Sequence, residues 1–266
     1  MKIATWNINS VRLRLPLVEK YLREAAPDFL LLQEIKCQDP DFPAAAFKSL
    51  GFDSFVFGQK SYHGVAILAR ESLDSRLSHR GLPGFPTDPD NDPQARYIEL
   101  EVAPADQQPF RLGCLYAPNG NPVENSAKYA NKILFMERLQ NLAAEYLAAE
   151  IPFVLAGDFN ICPTANDLFD PQGWIDDSLF RLESRQTWFR LINLGLVDAV
   201  RALHPTERLY SFWDYQAGRW PRGEGLRIDH FLLSPTLADR LKSAEIDREP
   251  RGWEQTSDHT VVTVEV

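Results

Sequence analysis

Cysteine is scarce in this chain of 266 residues and poorly placed for cross-linking. Cys37, Cys114 and Cys162 are odd in number, widely spaced and form no Cys-x-x-Cys pair, which argues against both a disulfide framework and a thiolate metal site. Long apolar runs are missing too. Stretches such as Phe29-Leu30-Leu31-Leu32 fall far short of a membrane span. The start, Met1-Lys2-Ile3-Ala4-Thr5-Trp6, lacks a basic region followed by an apolar segment, so the expectation is a soluble, unexported, cytoplasmic protein. Positive charge is in the minority: 28 Lys and Arg against 37 Asp and Glu leave a net charge of −9. That balance repels nucleic acid at long range, so any such binding has to rely on a local basic surface or on metal ions. Internal repeats and low-complexity linkers are also lacking.

Hydrophobic residues make up 44% of the chain, enough for one large domain or two small ones and ample for a well-buried core. Short apolar runs ending in polar residues recur at 3–6, 29–32, 65–68, 97–102, 111–116, 153–156, 228–233 and 260–264, and their length and β-branched content predict strands. Helix-period segments lie between them at 15–24, 128–147 and 187–194, the second carrying Ile133, Leu134, Leu139, Leu142 and Leu147. Loops rich in Pro and Gly at 81–93 and 118–122, and a further stretch at 171–178, interrupt the pattern. The sum is a mixed-sheet α/β architecture with covering helices, both termini tied into the same core.

Chemistry gathers at the ends of the predicted strands: Asn7, Glu34, Tyr116 and Asn119, then Asp158 and Asn160, then Asp229 and the pair Asp258-His259. In Gly157-Asp158-Phe159-Asn160, side chains two apart share a face if the strand continues, so Asp158 and Asn160 would aim at one point while Phe159 packs away. A turn is the equal alternative, since Gly, Asp and Asn all favour one. Carboxylates and carboxamides converging from successive strand ends make an oxygen-rich pocket for a hard divalent cation, and His259 with Asp229 makes an imidazole–carboxylate pair. Such a set suits hydrolysis of a phosphate ester.

At these residues the chain resembles the endonuclease/exonuclease/phosphatase superfamily, and within it the bacterial exonuclease III family of abasic-site endonucleases. The resemblance rests on Trp6-Asn7-Ile8-Asn9, Leu32-Gln33-Glu34, Tyr116-Ala117-Pro118-Asn119-Gly120, Gly157-Asp158-Phe159-Asn160-Ile161, Leu226-Arg227-Ile228-Asp229 and Ser257-Asp258-His259, in the family's order over nearly the whole chain. Gly64-Val65-Ala66 and Gly195-Leu196-Val197-Asp198 add to it. It implies a single domain over residues 1–266 with a deoxyribonuclease-I-like four-layered α/β sandwich, two packed mixed sheets flanked by helices, and the site at one edge. Two departures stand out: the weakly patterned segment 164–185, and His230 where many relatives carry an apolar residue or tyrosine.

By that resemblance the protein is a Mg²⁺-dependent phosphodiesterase, with Mn²⁺ as a substitute, working as a monomer on double-stranded DNA with abasic sites or 3′ ends, away from membranes. Its activities would be 3′-to-5′ exonuclease, abasic-site endonuclease and 3′-end cleaning. The implied metal set is Asn7, Glu34, Asp158, Asn160, Asp258 and His259, with Glu34 as principal ligand. The implied catalytic set is Tyr116, Asp158, Asn160, Asp229 and His259. Asp158 would orient or deprotonate the attacking water, or else hold a second metal. His259, oriented by Asp229, would stabilise charge on the phosphate. Asn119, Phe212, Leu226, Ile228 and Arg96 are expected to bind substrate, with Lys36, Arg219, Arg222 and Arg227 as further candidates for the DNA backbone and Trp213 either buried or facing DNA. Another phosphodiesterase or phosphatase of the superfamily, acting on inositol phosphates, sphingomyelin or RNA, and a noncatalytic nucleic-acid-binding scaffold are the alternatives.

Overall fold

The structure, a computed structural model, describes residues 1–87 and 94–266, so residues 88–93 of the predicted 81–93 loop lie outside the described residues. The strands are β1 (Lys2–Asn7), β2 (Phe29–Gln33), β3 (Phe52–Phe57), β4 (Val65–Arg70), β5 (Ser75–Arg80), β6 (Tyr97–Val102), β7 (Phe110–Tyr116), β8 (Phe153–Asp158), β9 (Val197–Asp198), β10 (Asp229–Leu233), β11 (Ser243–Asp247) and β12 (Val261–Glu265). The helices are α1 (Leu15–Ala25), α2 (Ala44–Lys48), α3 (Ser126–Ala148), α4 (Leu182–Asn193), α5 (Ala199–Leu203), α6 (Arg219–Arg222) and α7 (Pro235–Ala238). Among the described residues no helix is long and apolar enough to cross a membrane.

Two six-stranded mixed sheets form, in the orders β11-β12-β1-β2-β4-β3 and β5-β6-β7-β8-β10-β9. Side chains alternate across each strand, and the alternation builds the layers. Phe29 and Leu31 of β2 face the second sheet and meet Ile98, Leu112, Val154 and Phe231 in the central core. Leu30 and Leu32, one residue out of phase, face the other way and pack with Val18, Tyr21 and Leu22 of α1. The outer face of the second sheet, with Leu115, Phe153 and Leu155, is covered by Phe135 and Leu139 of α3 and Trp188 and Leu191 of α4. The order is therefore helix, sheet, sheet, helix.

All eight predicted strands are present; the four that were not predicted, β3, β5, β9 and β11, are the four sheet edges. An edge strand buries little and carries polar residues, as in Ser75-Arg76-Leu77-Ser78-His79-Arg80, so the hydrophobic pattern that marks a strand is weak there. Helix α4 starts at Leu182, five residues before its predicted start. Helix α3 sits where expected, with Leu139 and Leu142 buried as read; Phe135, Met136 and Ala143 complete the buried stripe, while Ile133, Leu134 and Leu147 are only half-buried. Lys132 occupies the next position of that stripe, fully buried.

Sheet connectivity explains where the chemistry sits. β1 and β2 run parallel, as do β7 and β8, so all four carry their carboxyl ends to one edge of the sandwich. β10 and β12 run antiparallel to β8 and β1 and therefore begin at that same edge. The ends of the chain meet within the first sheet, the Met1 amino group donating to the Val266 carbonyl at 2.6 Å and the Val266 N–H to the Met1 carbonyl at 3.0 Å.

Candidate active site

Each strand that reaches this edge delivers a polar residue at or just past its tip: Asn7 from β1, Glu34 after β2, Tyr116 from β7 and Asp158 from β8. From the opposite direction, Asp229 opens β10 in register with Asp158, and His259 lies two residues ahead of β12. The expectation that Asp158 and Asn160 share a strand face is corrected. β8 stops at Asp158, and Asn160 adopts a left-handed backbone (φ 51°). The turn turns its amide so that Nδ2 donates to the Ala117 carbonyl at 2.9 Å while Oδ1 accepts from Asn119 Nδ2 at 3.1 Å. Glu34 is left-handed as well (φ 48°), a conformation that costs a non-glycine residue about 1–3 kcal/mol and clusters at functional sites.

The acids are held by hydrogen bonds. Asn7 Nδ2 donates to Glu34 Oε1 at 2.9 Å and to Asp158 Oδ2 at 3.0 Å, and the Asn160 N–H donates to Asp158 Oδ1 at 2.9 Å. His259 Nδ1 lies 2.8 Å from Asp229 Oδ2, which also accepts from Ser211 Oγ at 2.6 Å. The other imidazole nitrogen, Nε2, stands 3.9 Å from Asp158 Oδ2. One ligand atom each from Glu34, Asp158 and His259 falls within 4.8 Å of the others, the arrangement a metal ion requires. Asp258 lines the same pocket, accepts from Asn9 Nδ2 at 3.0 Å and stands outside that trio.

Burial and charge set the proton affinities. Burial raises Asp158 above the usual carboxylate range and the neighbouring Asp229 raises it further, against the opposing pull of His259. Burial alone would lower His259, but the Asp229 carboxylate outweighs it and holds the imidazole well above its ordinary value. Glu34 is pulled the other way: burial opposes its charge, but Lys36, 3.0 Å away, and Asn7 together lower it. Burial and the Glu34 and Asp158 charges keep the Tyr116 phenol protonated, with Glu34 as an acceptor for its O–H.

A pocket of about 250 Å³ opens over these groups. Phe212, Leu226 and Ile228 form one wall, with the Phe212 ring 4.9 Å from the His259 ring. Trp174 and Leu179, from the weakly patterned segment, complete it, and Asn121, Asp177 and Asp214 stand at its rim. None of these five was identified from the sequence. The signal lay in tertiary packing: Leu179, Phe180 and Leu168 make a small core with Leu226 and Ile228. Ser211, which orients Asp229, was missed too.

The predicted DNA contacts need correction. Arg227 is fully buried, paired with Asp167 at 2.7 Å and Asp198 at 2.9 Å, so it fastens the Leu226-to-Asp229 segment from behind. Arg96, only 8% exposed, turns inward to the Tyr116 carbonyl at 3.3 Å and lies over the Tyr116 ring. Trp213 is buried. Lys36, Arg219 and Arg222 reach solvent but are already paired, with Glu34 and with Glu224. His230 is buried and neutral, its affinity pushed down to about 3 by burial and by Arg227, and its Nε2 donates to the Ile161 carbonyl at 2.8 Å.

Sequence comparison matches residues 4–259 to the endonuclease/exonuclease/phosphatase family. The chain belongs to that family. Among curated members, exodeoxyribonuclease III of Haemophilus influenzae is 32% identical over 275 residues, covering 100% of this chain and 99% of that protein. Among solved structures, a Neisseria 3′ phosphatase bound to a product DNA hairpin superposes with a TM-score of 0.90 at 38% identity, covering 100% of this chain and 98% of the other. An AP endonuclease from Archaeoglobus fulgidus superposes with a TM-score of 0.88 at 32% identity, with the same coverage. The two mixed sheets with flanking helices are thus the deoxyribonuclease-I-like fold of this family of DNA-processing enzymes.

Proposed function

We propose that the protein is a Mg²⁺-dependent DNA phosphoesterase that trims blocked 3′ ends, removes 3′ nucleotides and incises duplex DNA at abasic sites. The observation that carries this reading is the convergence of Glu34, Asp158 and His259, with Asp229 behind the imidazole, at the floor of a pocket with one apolar wall. The donor set fits a hard cation: two carboxylates meet in a buried place, and Asp158 is raised because no nearby positive charge fully offsets its burial. Glu34 and Asp158 would hold Mg²⁺, with Mn²⁺ as substitute and with Asn7, Asn160 and Asp258 close by. The bound cation would act as a Lewis acid toward the phosphate.

The chain's own groups do the rest. Asp158, fixed by Asn7 and by the Asn160 N–H, is suited to orient the attacking water. His259 Nδ1 is committed to Asp229, so the charged imidazole presents an Nε2–H, and we assign it to a nonbridging phosphate oxygen rather than to the metal. Tyr116 and Asn119 offer uncharged donors to the same phosphate. Phe212, Leu226 and Ile228 give a base-free deoxyribose an apolar wall to enter. Every one of these groups comes from one chain, so the site needs no second copy, in keeping with a monomer.

The test is a panel of duplexes carrying an abasic analogue, a 3′ phosphate or a matched 3′ hydroxyl, with Mg²⁺ and with EDTA. Turnover of at least one in Mg²⁺, abolished by EDTA, is expected. Cleavage that persists in EDTA would overturn the metal assignment, and failure on all three with turnover of a non-DNA phosphoester would overturn the substrate.

A further inference from the structure

Lys132 is a charged residue in the apolar stripe of α3, in line with Phe135, Met136 and Leu139, and it is completely buried. A lysine ammonium has three N–H donors and no acceptor. Here the three meet three carbonyls: Asn119 at 3.1 Å, Asn160 at 2.6 Å and Ser178 at 2.8 Å. The acceptors belong to three separate segments, the loop after β7, the turn after β8 and the segment ahead of α4. Each segment lines the pocket, through Asn119, through Asn160, and through Asp177 and Leu179 on either side of Ser178.

The surroundings are shaped to admit this side chain. Gly120 has a left-handed backbone (φ 88°), and a Cβ there would stand 2.9 Å from Lys132 Cδ. Two of these segments are cross-tied, Ser178 Oγ donating to the Asn119 carbonyl at 2.5 Å and Asn121 Nδ2 to Asp177 at 3.0 Å, and Asn119 Nδ2 ties the third by donating to Asn160 Oδ1 at 3.1 Å. A buried charge is expensive: burial pulls the Lys132 ammonium down to about 7, and three convergent carbonyl dipoles oppose that loss. A hydrophobic residue would fill the stripe more simply if packing were the only demand.

We propose that Lys132 is a positioning residue: its ammonium gathers the peptide units of Asn119, Asn160 and Ser178 and so sets the direction of the Asn119–Asn160 amide pair that faces substrate. It touches no substrate itself. The consequence for turnover rests on the DNA phosphoesterase reading above, whereas the placement of the two amides does not.

Lys132→Met keeps a four-atom stem and removes the nitrogen with all three donors; Lys132→Gln keeps two donors on a stem one atom shorter. For Mg²⁺-dependent release of a 3′ phosphate from duplex DNA, measured below each variant's melting temperature, Lys132→Met is expected to lower kcat by about 10–100-fold with KM within about threefold. Lys132→Gln should recover part of that loss, and it carries the test if the methionine variant does not fold. In an Asn119→Ala background, Lys132→Met should lower kcat by a clearly smaller factor, because the two act through one amide pair. The side-chain amide NMR signals of Asn119 and Asn160 should both shift in either Lys132 variant, with or without DNA. A lower melting temperature with kcat within twofold of wild type, or amide signals that stay in place, would overturn the proposal. Shifted amides in a protein whose wild type turns over no DNA would support the positioning role and retire the DNA reading.

Discussion

Replacing Asp229 by asparagine preserves the shape beside His259 but removes the charge that holds its imidazolium, with Nδ1 and Oδ2 2.8 Å apart. Removing a group that stabilises transition-state charge typically costs about 10²–10³-fold in kcat, and Asp229→Asn is expected in that range with KM little changed. Steady-state release of a 3′ phosphate measures it, and a kcat within threefold of wild type would remove the pair from the mechanism. At this scale much of the site was legible. Asn7, Glu34, Tyr116, Asp158, Asp229 and His259 stand at strand tips, and a polar residue closing an apolar run is visible in sequence. What was not legible is which cations face solvent. Arg227 and Arg222 look alike in the chain, yet the first is 0% exposed between two carboxylates and the second reaches water.

Elements fail to announce themselves in proportion to how little they bury. The interior strands were read from short apolar, β-branched runs, whereas β3, β5, β9 and β11 sit at the sheet edges, where such runs are weak. The miss on α3 had the opposite cause: Lys132 lies on its buried face but reads as a surface residue, so the stripe was recognised at Leu139 and Leu142 and not at its start. At the junction of β7 and β8 the limits are tighter. Gly157 has φ 139°, and a Cβ there would lie 2.0 Å from the Leu115 carbonyl oxygen. Gly157→Ala is therefore expected to destabilise the fold by roughly 2–5 kcal/mol through backbone strain and overpacking, read from the midpoint of urea unfolding. An unchanged midpoint would show that the two strands can part without cost.

Over the whole molecule, a net charge of −9 has to be reconciled with a polyanionic substrate. Lys36, Arg219 and Arg222 can meet phosphates only by leaving Glu34 and Glu224, which limits how many counterions binding can release. The affinity of a metal-ligand-disabled variant for duplex DNA should fall with salt at a log–log slope of only about −2 to −3, corresponding to two or three phosphate contacts. A slope steeper than about −6 would reveal a basic surface that the ion pairs conceal. The pairing of β1 with β12 has a consequence in time. Asn7 cannot share a pocket with Asp258 and His259 until the ribosome has added some 250 further residues, which at about 5–20 residues per second takes on the order of tens of seconds. Throughout that interval the first strand lacks its antiparallel neighbour, and the emerging chain carries no assembled site.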